Sequence, residues 1–240
     1  MGWTGSNGSS PEKSVTIYSG STGDKTYTAN CKGITKLIIS EGTTYIGGGQ
    51  YKGWDKLVSV TIPNSVTSIG QSAFDGCSSL QELTLPFVGG SETKNTFLGY
   101  IFGASEYSES PKYVPTSLKK VTITKATSIG DYAFCGCGSL TSITIGDSVT
   151  SIGSSAFRGC SSLISITIPN SVPSIGDSAF SSCSSLSKVY YKGGENEWKT
   201  IFIENSNYDL IKATIYYYSE TKPSASGNYW HYVDGEIVEW

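Results

Sequence analysis

The chain has 240 residues, only 15% of them charged against about 25% in an average soluble domain, and 64 are Ser or Thr. A net charge of −3 with no basic run argues against a phosphate-neutralising surface, so no nucleic-acid partner is expected. No stretch approaches the roughly 18 apolar residues of a membrane span, so no membrane insertion is expected, and a single His leaves few metal sites.

Residues 1–13 are rich in Gly and Ser and read as a flexible segment. They contain no apolar signal region, so either the chain is not exported by that route or the sequence is trimmed. Val15-Thr16-Ile17-Tyr18 reads as a strand, and 14–30 as an N-terminal cap.

From Ile34 onward the chain repeats itself. Ile34, Leu57, Leu80, Leu118, Leu140, Leu163, Leu186 and Leu210 open similar runs at intervals of 23, 23, 38, 22, 23, 23 and 24 residues. In Leu140-Thr-Ser-Ile143-Thr-Ile145 the apolar residues at +3 and +5 show the two-residue period of a strand buried on one face. Ile152, Ala156-Phe157 and Cys160 bring the return back to the same core, and Gly146 and Gly153 mark its bends. Such a unit cannot bury its own apolar face and must stack on its copies. The expectation is a mainly β solenoid of about eight units, spanning 14–218, with one parallel sheet and short, mostly non-helical returns.

Five cysteines, Cys31, Cys77, Cys137, Cys160 and Cys183, fall three residues before an anchor, and Trp54 takes that slot in the second unit. One repeat phase suits a packed ladder of thiols rather than a disulfide framework. Cys135 lies off the column, and its redox state is open between a local disulfide and a free thiol. The +4 positions read Ile38, Thr61, Thr84, Thr122, Thr144, Thr167, Tyr190 and Thr214 and should face solvent. The +2 row mixes Ser59, Glu82, Ser142 and Ser165 with Lys36, Lys120, Lys188 and Lys212, so the paired Thr rows of an ice-binding face are missing. Lys188, Lys212 and Tyr190 are candidate contacts on this face.

The phrase Ile152-Gly153-Ser154-Ser155-Ala156-Phe157-Arg158-Gly159-Cys160-Ser161-Ser162-Leu163, followed by Ile166-Thr167-Ile168-Pro169, resembles the BspA-like, treponemal-type leucine-rich repeats. The resemblance covers about residues 31 to 216. It implies a bacterial surface or secreted protein with a role in adhesion to matrix proteins, host cells or other bacteria. It brings no catalytic motif and no cofactor.

The long interval holds an insertion within 86–117 that concentrates Phe87, Phe97, Tyr100, Phe102, Tyr107 and Tyr113. Phe97, Ile101 and Phe102 are expected to refill the core that the missing Ile-Gly-x-x-Ala-Phe phrase vacates. Tyr107, Lys112 and Tyr113 have no slot in the repeat and are candidate binding residues, as is Tyr100. Beyond the repeats, 219–227 reads as a linker. Tyr229 to Val233 and Glu236 to Trp240 flank Asp234-Gly235, a strong hairpin signal, so 228–240 reads as an aromatic β-hairpin that either closes the last unit or begins a further module.

No catalytic constellation emerges. Asp131 and Asp177 sit on turns two units apart, roughly 10 Å by strand spacing, but nothing implies a cleft around them. Glu195, Glu197 and Trp198 read as a polar loop, and His231 as a cap residue. The sequence reads as a non-enzymatic protein-interaction or adhesion module whose partner is a host matrix or cell-surface protein. The alternative is a recognition or spacer module of a larger polypeptide, with a glycan as the other ligand class.

Overall fold

A computed structural model describes the backbone of residues 13–17 and the whole of residues 33–240. Cys31 and Tyr18 lie outside the described residues. In chain order the strands are β1 (Lys13–Ile17), β2 (Ile34–Ile39), β3 (Tyr45–Ile46), β4 (Ser59–Thr61), β5 (Ser68–Ile69), β6 (Glu82–Leu85), β7 (Lys120–Ile123), β8 (Ser142–Ile145), β9 (Ser165–Ile168), β10 (Ser174–Ile175), β11 (Lys188–Tyr191), β12 (Phe202–Ile203), β13 (Thr214–Tyr218), β14 (Tyr229–Val233) and β15 (Glu236–Glu239). Three short helices lie in the returns: α1 (Ser110–Tyr113), α2 (Glu195–Trp198) and α3 (Tyr208–Lys212).

One sheet runs β1-β2-β4-β6-β7-β8-β9-β11-β13-β14-β15, parallel throughout except for the last pair. Its register follows the repeat phase. Lys36, Ser59, Glu82, Lys120, Ser142, Ser165 and Lys188 form one row across it, and Ile38, Thr61, Thr84, Thr122, Thr144, Thr167 and Tyr190 form another. The alternate side chains turn inward, where the Leu, +3 and +5 columns are buried from Ile34 to Tyr191. On the opposite wall the Ile column pairs in short parallel bridges, β3 with β5, Ile129 with Ile152, Ile152 with Ile175, and β10 with β12.

Between these walls the rings of Phe134, Phe157 and Phe180 stack at centroid distances of 5.2 and 5.0 Å. The buried thiols of Cys77, Cys160 and Cys183 each donate to a carbonyl of the preceding unit, Tyr51, Phe134 and Phe157 respectively, at 3.4, 3.2 and 3.1 Å. Two glycine positions make the stacking close enough. At Gly153 a Cβ would meet the backbone N of Asp131 at 2.7 Å, and Gly159 turns the chain at φ +75, where an L side chain is strained.

The insertion supplies a substitute for the missing turn. A 3₁₀ turn at Leu98–Phe102 accepts from Phe74 N–H through the Ile101 carbonyl (2.9 Å) and donates from Leu98 N–H to Ala133 O (2.8 Å). Ile101 and Phe102 are buried as expected. Phe97 is only half-buried, against the edge of Tyr100, because the turn starts one residue later and sends Leu98 into the core.

The last interval departs from the sequence expectation. Thr214, not Lys212, stands opposite Lys188, and Tyr216 stands opposite Tyr190. Helix α3 absorbs two extra residues while burying Leu210, so the sheet rows resume two positions late. Lys212 therefore lies at the exposed end of α3 and not on the sheet face. Glu195, Glu197 and Trp198 form α2 rather than a loop, with the Glu197 carboxylate accepting from Gly194 N–H (2.7 Å).

Candidate functional site

Two surfaces carry the candidate residues. The first is the insertion. Tyr107 is 39% exposed, and its ring stacks on Tyr132 at 4.0 Å with the planes 16° apart. Tyr132 holds a left-handed backbone (φ 57) at a position where three other units place Ser. Bulky residues rarely adopt that conformation. Lys112 is exposed, with its Nζ 5.2 Å from the Tyr113 ring centroid. Tyr113 and Tyr100 are half-buried against the core, so they support this surface more than they present it. Tyr107, stacked on Tyr132, and Lys112, beside Tyr113, are thus exposed on the same inserted segment.

The second is the outward sheet face, which the chain itself partly covers. β14 joins β13 through only two residue pairs, Tyr217↔Tyr229 and Tyr218↔Trp230, and then runs on as a ribbon with β15. Glu239 accepts from Lys188 Nζ and from Tyr190 Oη, both at 2.6 Å, above β11. Glu236, at the ribbon's turn, lies 3.5 Å from Lys120 Nζ on β7. Three strand spacings separate β7 from β11, about 14 Å, and three residues separate the two glutamates, about 10 Å of strand. The ribbon therefore crosses the strands. Beneath it Thr167 is 1% exposed and Tyr190 8%. Tyr190 and Lys188, read from the sequence as free contacts, are instead occupied.

Trp230 anchors the ribbon. It is fully buried, donates its indole N–H to Tyr191 O (2.9 Å) and meets the rings of Tyr190, Tyr218 and Tyr232 edge-on. Lys192 bonds Asp147 at 2.6 Å and lies 5.7 Å from the Tyr232 ring centroid. Burial pushes Glu239 up, but the hydrogen bonds from Lys188 and Tyr190 outweigh it and hold the carboxyl below its ordinary value. Burial and the Glu239 contact push the Tyr190 phenol up.

The remaining candidates are tied into the turns. Asp131 Oδ1 accepts from Ser154 N–H (2.7 Å), and Asp177 Oδ2 accepts from the Ser178 hydroxyl (2.9 Å). His231 stacks on Trp240 at 3.8 Å on the ribbon. Cys77, Cys137, Cys160 and Cys183 are free and buried, and Cys135 is free and half-buried. Among the described residues no cluster of three or more His, Cys, Asp or Glu could hold a metal, and no helix is long and apolar enough to cross a membrane.

A profile described as the BspA type Leucine rich repeat region matches six copies, over residues 21–102 and 109–219. The chain belongs to the BspA-type leucine-rich repeat family. As a BspA-type repeat array it is a protein-interaction module, of a kind typically without catalytic activity. The comparison with curated proteins found no match. Among solved structures, the T. pallidum leucine-rich repeat protein is 26% identical, with 72% of this chain and 69% of that one covered and a TM-score of 0.34. A leucine-rich repeat protein from Bacteroides ovatus is 21% identical, over 77% of this chain and 51% of that one, with a TM-score of 0.39. A leucine rich cell surface protein from Faecalibacterium prausnitzii is 23% identical, over 72% and 63%, with a TM-score of 0.25. The BspA-type chain thus spans about half the length of the Bacteroides protein it matches.

Proposed function

We propose that this BspA-type array is a non-enzymatic adhesion module of a bacterial surface or secreted protein. Its partner is a host matrix or cell-surface protein, held by the insertion and the open part of the sheet face. The supporting observation is the insertion patch. Buried Ile101 and Phe102 fix its base, while Tyr107 on Tyr132 and the exposed Lys112 face solvent. Aromatic area held rigidly costs little entropy on binding. Tyr100 and Tyr113 brace the patch from below, and Thr61 on β4 and Thr84 on β6 leave a second, hydroxylic surface open.

The test is capture by the immobilised chain from serum, matrix and mucin extracts, beside a Tyr107→Ser/Lys112→Ser variant. Neither change touches a fully buried side chain. A protein held by the parent and released by the variant supports the reading. Equal capture by both moves the site off the insertion, and no capture by either overturns the adhesion role in favour of a spacer.

A further inference from the structure

The ribbon's seat has a definite chemistry. On the sheet side, Lys188 lies 5.5 Å from the centroid of the Tyr216 ring, which neighbours Tyr190, while Lys120 and Lys192 meet Glu236 and the Tyr232 ring of the ribbon. On the ribbon side, Trp230 and Glu239 are cross-strand partners and face this surface together. Tyr232 and Ile237 are the next such pair along. The seat thus receives a two-stranded ribbon that sets aromatic side chains on one strand opposite acidic or aliphatic ones on the other and runs across the strands of the sheet.

The ribbon's hold on that seat is limited. Its backbone joins the sheet through two residue pairs only. Its charge contacts are solvent-exposed, with side chains 38% and 34% accessible in the Lys188–Glu239 pair and 41% and 77% in Lys120–Glu236. Exposed pairs contribute little and are screened by salt. The one buried ribbon side chain, Trp230, the Tyr190 hydroxyl bond to Glu239 and the Trp240 indole N–H bond to Ser219 O (3.0 Å) supply the remainder. Elements secured in this way open well below the free energy of global unfolding.

We propose that the face over β7 to β11 is a docking site for a polypeptide hairpin that pairs aromatic with acidic or aliphatic side chains, and that the β14–β15 ribbon is its exchangeable internal occupant. A partner segment of the same chemistry binds by displacing the ribbon. Its apparent affinity is lowered by the fraction of time the ribbon is seated. This rests on the protein-binding reading but uses a different surface, so Tyr107→Ser/Lys112→Ser leaves it unaffected and the two can fail separately.

The probe is a fluorescent peptide of the chain's own residues 227–240, titrated into the full chain and followed by anisotropy. A Trp230→Ala/Glu239→Gln chain should bind it at least tenfold more tightly than the parent, and Lys188→Glu added to that variant should abolish the gain. Equal affinity for parent and variant overturns the proposal, as does binding that survives Lys188→Glu. Hydrogen exchange on the unaltered chain is the second arm. Amides of 229–240 should exchange faster than those of β8 and β9, and faster still in high salt. Equal protection would mean a permanent cap and no exchangeable site. Concentration-dependent dimers that trade ribbons would make a second copy the occupant and overturn the assignment to a foreign segment.

Discussion

Phe157→Ala should be among the most damaging single changes in the array. The ring is fully buried and has a stacked neighbour on each side, Phe134 at 5.2 Å and 12° and Phe180 at 5.0 Å and 23°. Truncating a buried Phe costs about 3–5 kcal/mol in lost transfer energy and residual cavity. Each aromatic pair adds about 0.5–1.5 kcal/mol beyond area alone, which places this site toward the upper end. The backbone offers no easy collapse, because Phe157 N–H bonds Ala179 O at 2.8 Å and the Phe157 carbonyl accepts the Cys183 thiol. For a chain of this length each kcal/mol lowers Tm by roughly 2–4 °C, so the fall should be about 6–20 °C. Phe180→Ala, which removes one of these stacks rather than two, should cost less. The assay is thermal unfolding followed by far-UV circular dichroism and calorimetry. A Phe157→Ala Tm within 2 °C of the parent, roughly the effect of a single kcal/mol, would refute the packed-ring account of the solenoid, and a larger loss at Phe180 would refute its ordering.

Among the described cysteines, thiol labelling of the native chain should reach Cys135 first and leave Cys77, Cys137, Cys160 and Cys183 unmodified, since burial pushes the Cys77 and Cys183 thiols up to about 12. Mass spectrometry after unfolding without reductant should then find these four newly labelled, and rapid native labelling of Cys160 would contradict the packing. Gly176→Ala places a Cβ 2.7 Å from Gly153 C and Ser154 N, and should destabilise by about 1–3 kcal/mol in urea titrations. Glu239 has a folded pKa below its ordinary value, so its contribution to ribbon docking is present above that ordinary value and is lost as pH falls through the folded one. The Trp230 indole N–H resonance should therefore shift toward its undocked position as pH falls below the ordinary carboxylate range. Glu239→Gln should remove that acid step while Lys188, Tyr190 and Tyr216 still face the side chain, and an unchanged step would assign it to another carboxylate.

The repeat was legible because stacking forces each core column to one phase. Leu140, Ile143 and Ile145 recur as Leu163, Ile166 and Ile168, and the sheet register pairs them accordingly. Legibility failed where local structure changed phase. The late register at Lys212 arises in a five-residue helix, and Tyr216, Tyr217 and Tyr218 read alike in either register. Leu98 and Phe97 differ by one step of a 3₁₀ turn, which no two-residue or 3.6-residue period resolves. The ribbon's seat was hidden for another reason. Lys188 meets Glu239 across 51 positions of chain, and a lone Lys in a strand row looks like ordinary solvation. The available signal was the loss of Thr at Tyr190, where the hydroxyl row gives way to a ring that another aromatic covers.

The chain's poverty in charge and wealth in hydroxyls acquires a structural meaning from the same contacts. Ser65, Thr67, Thr141, Thr150, Ser184 and Ser187 each donate a side-chain hydrogen bond to a carbonyl 22 or 23 residues earlier, one unit down the stack. A neutral hydrogen bond of this kind contributes about 0.5–1.5 kcal/mol, is short in reach and is largely indifferent to salt. These hydroxyls are thus rungs between units as well as a coat for solvent. Charges are used elsewhere. Of the six ion pairs among the described residues, two join the ribbon to the sheet face, at Lys120–Glu236 and Lys188–Glu239. Contacts made by hydroxyls to backbone repeat with the solenoid and hold it together at any ionic strength. Contacts made by exposed charge weaken with salt and can be replaced by another carboxylate. The division of labour predicts that rising ionic strength loosens the ribbon's hold while the array of units keeps its melting temperature.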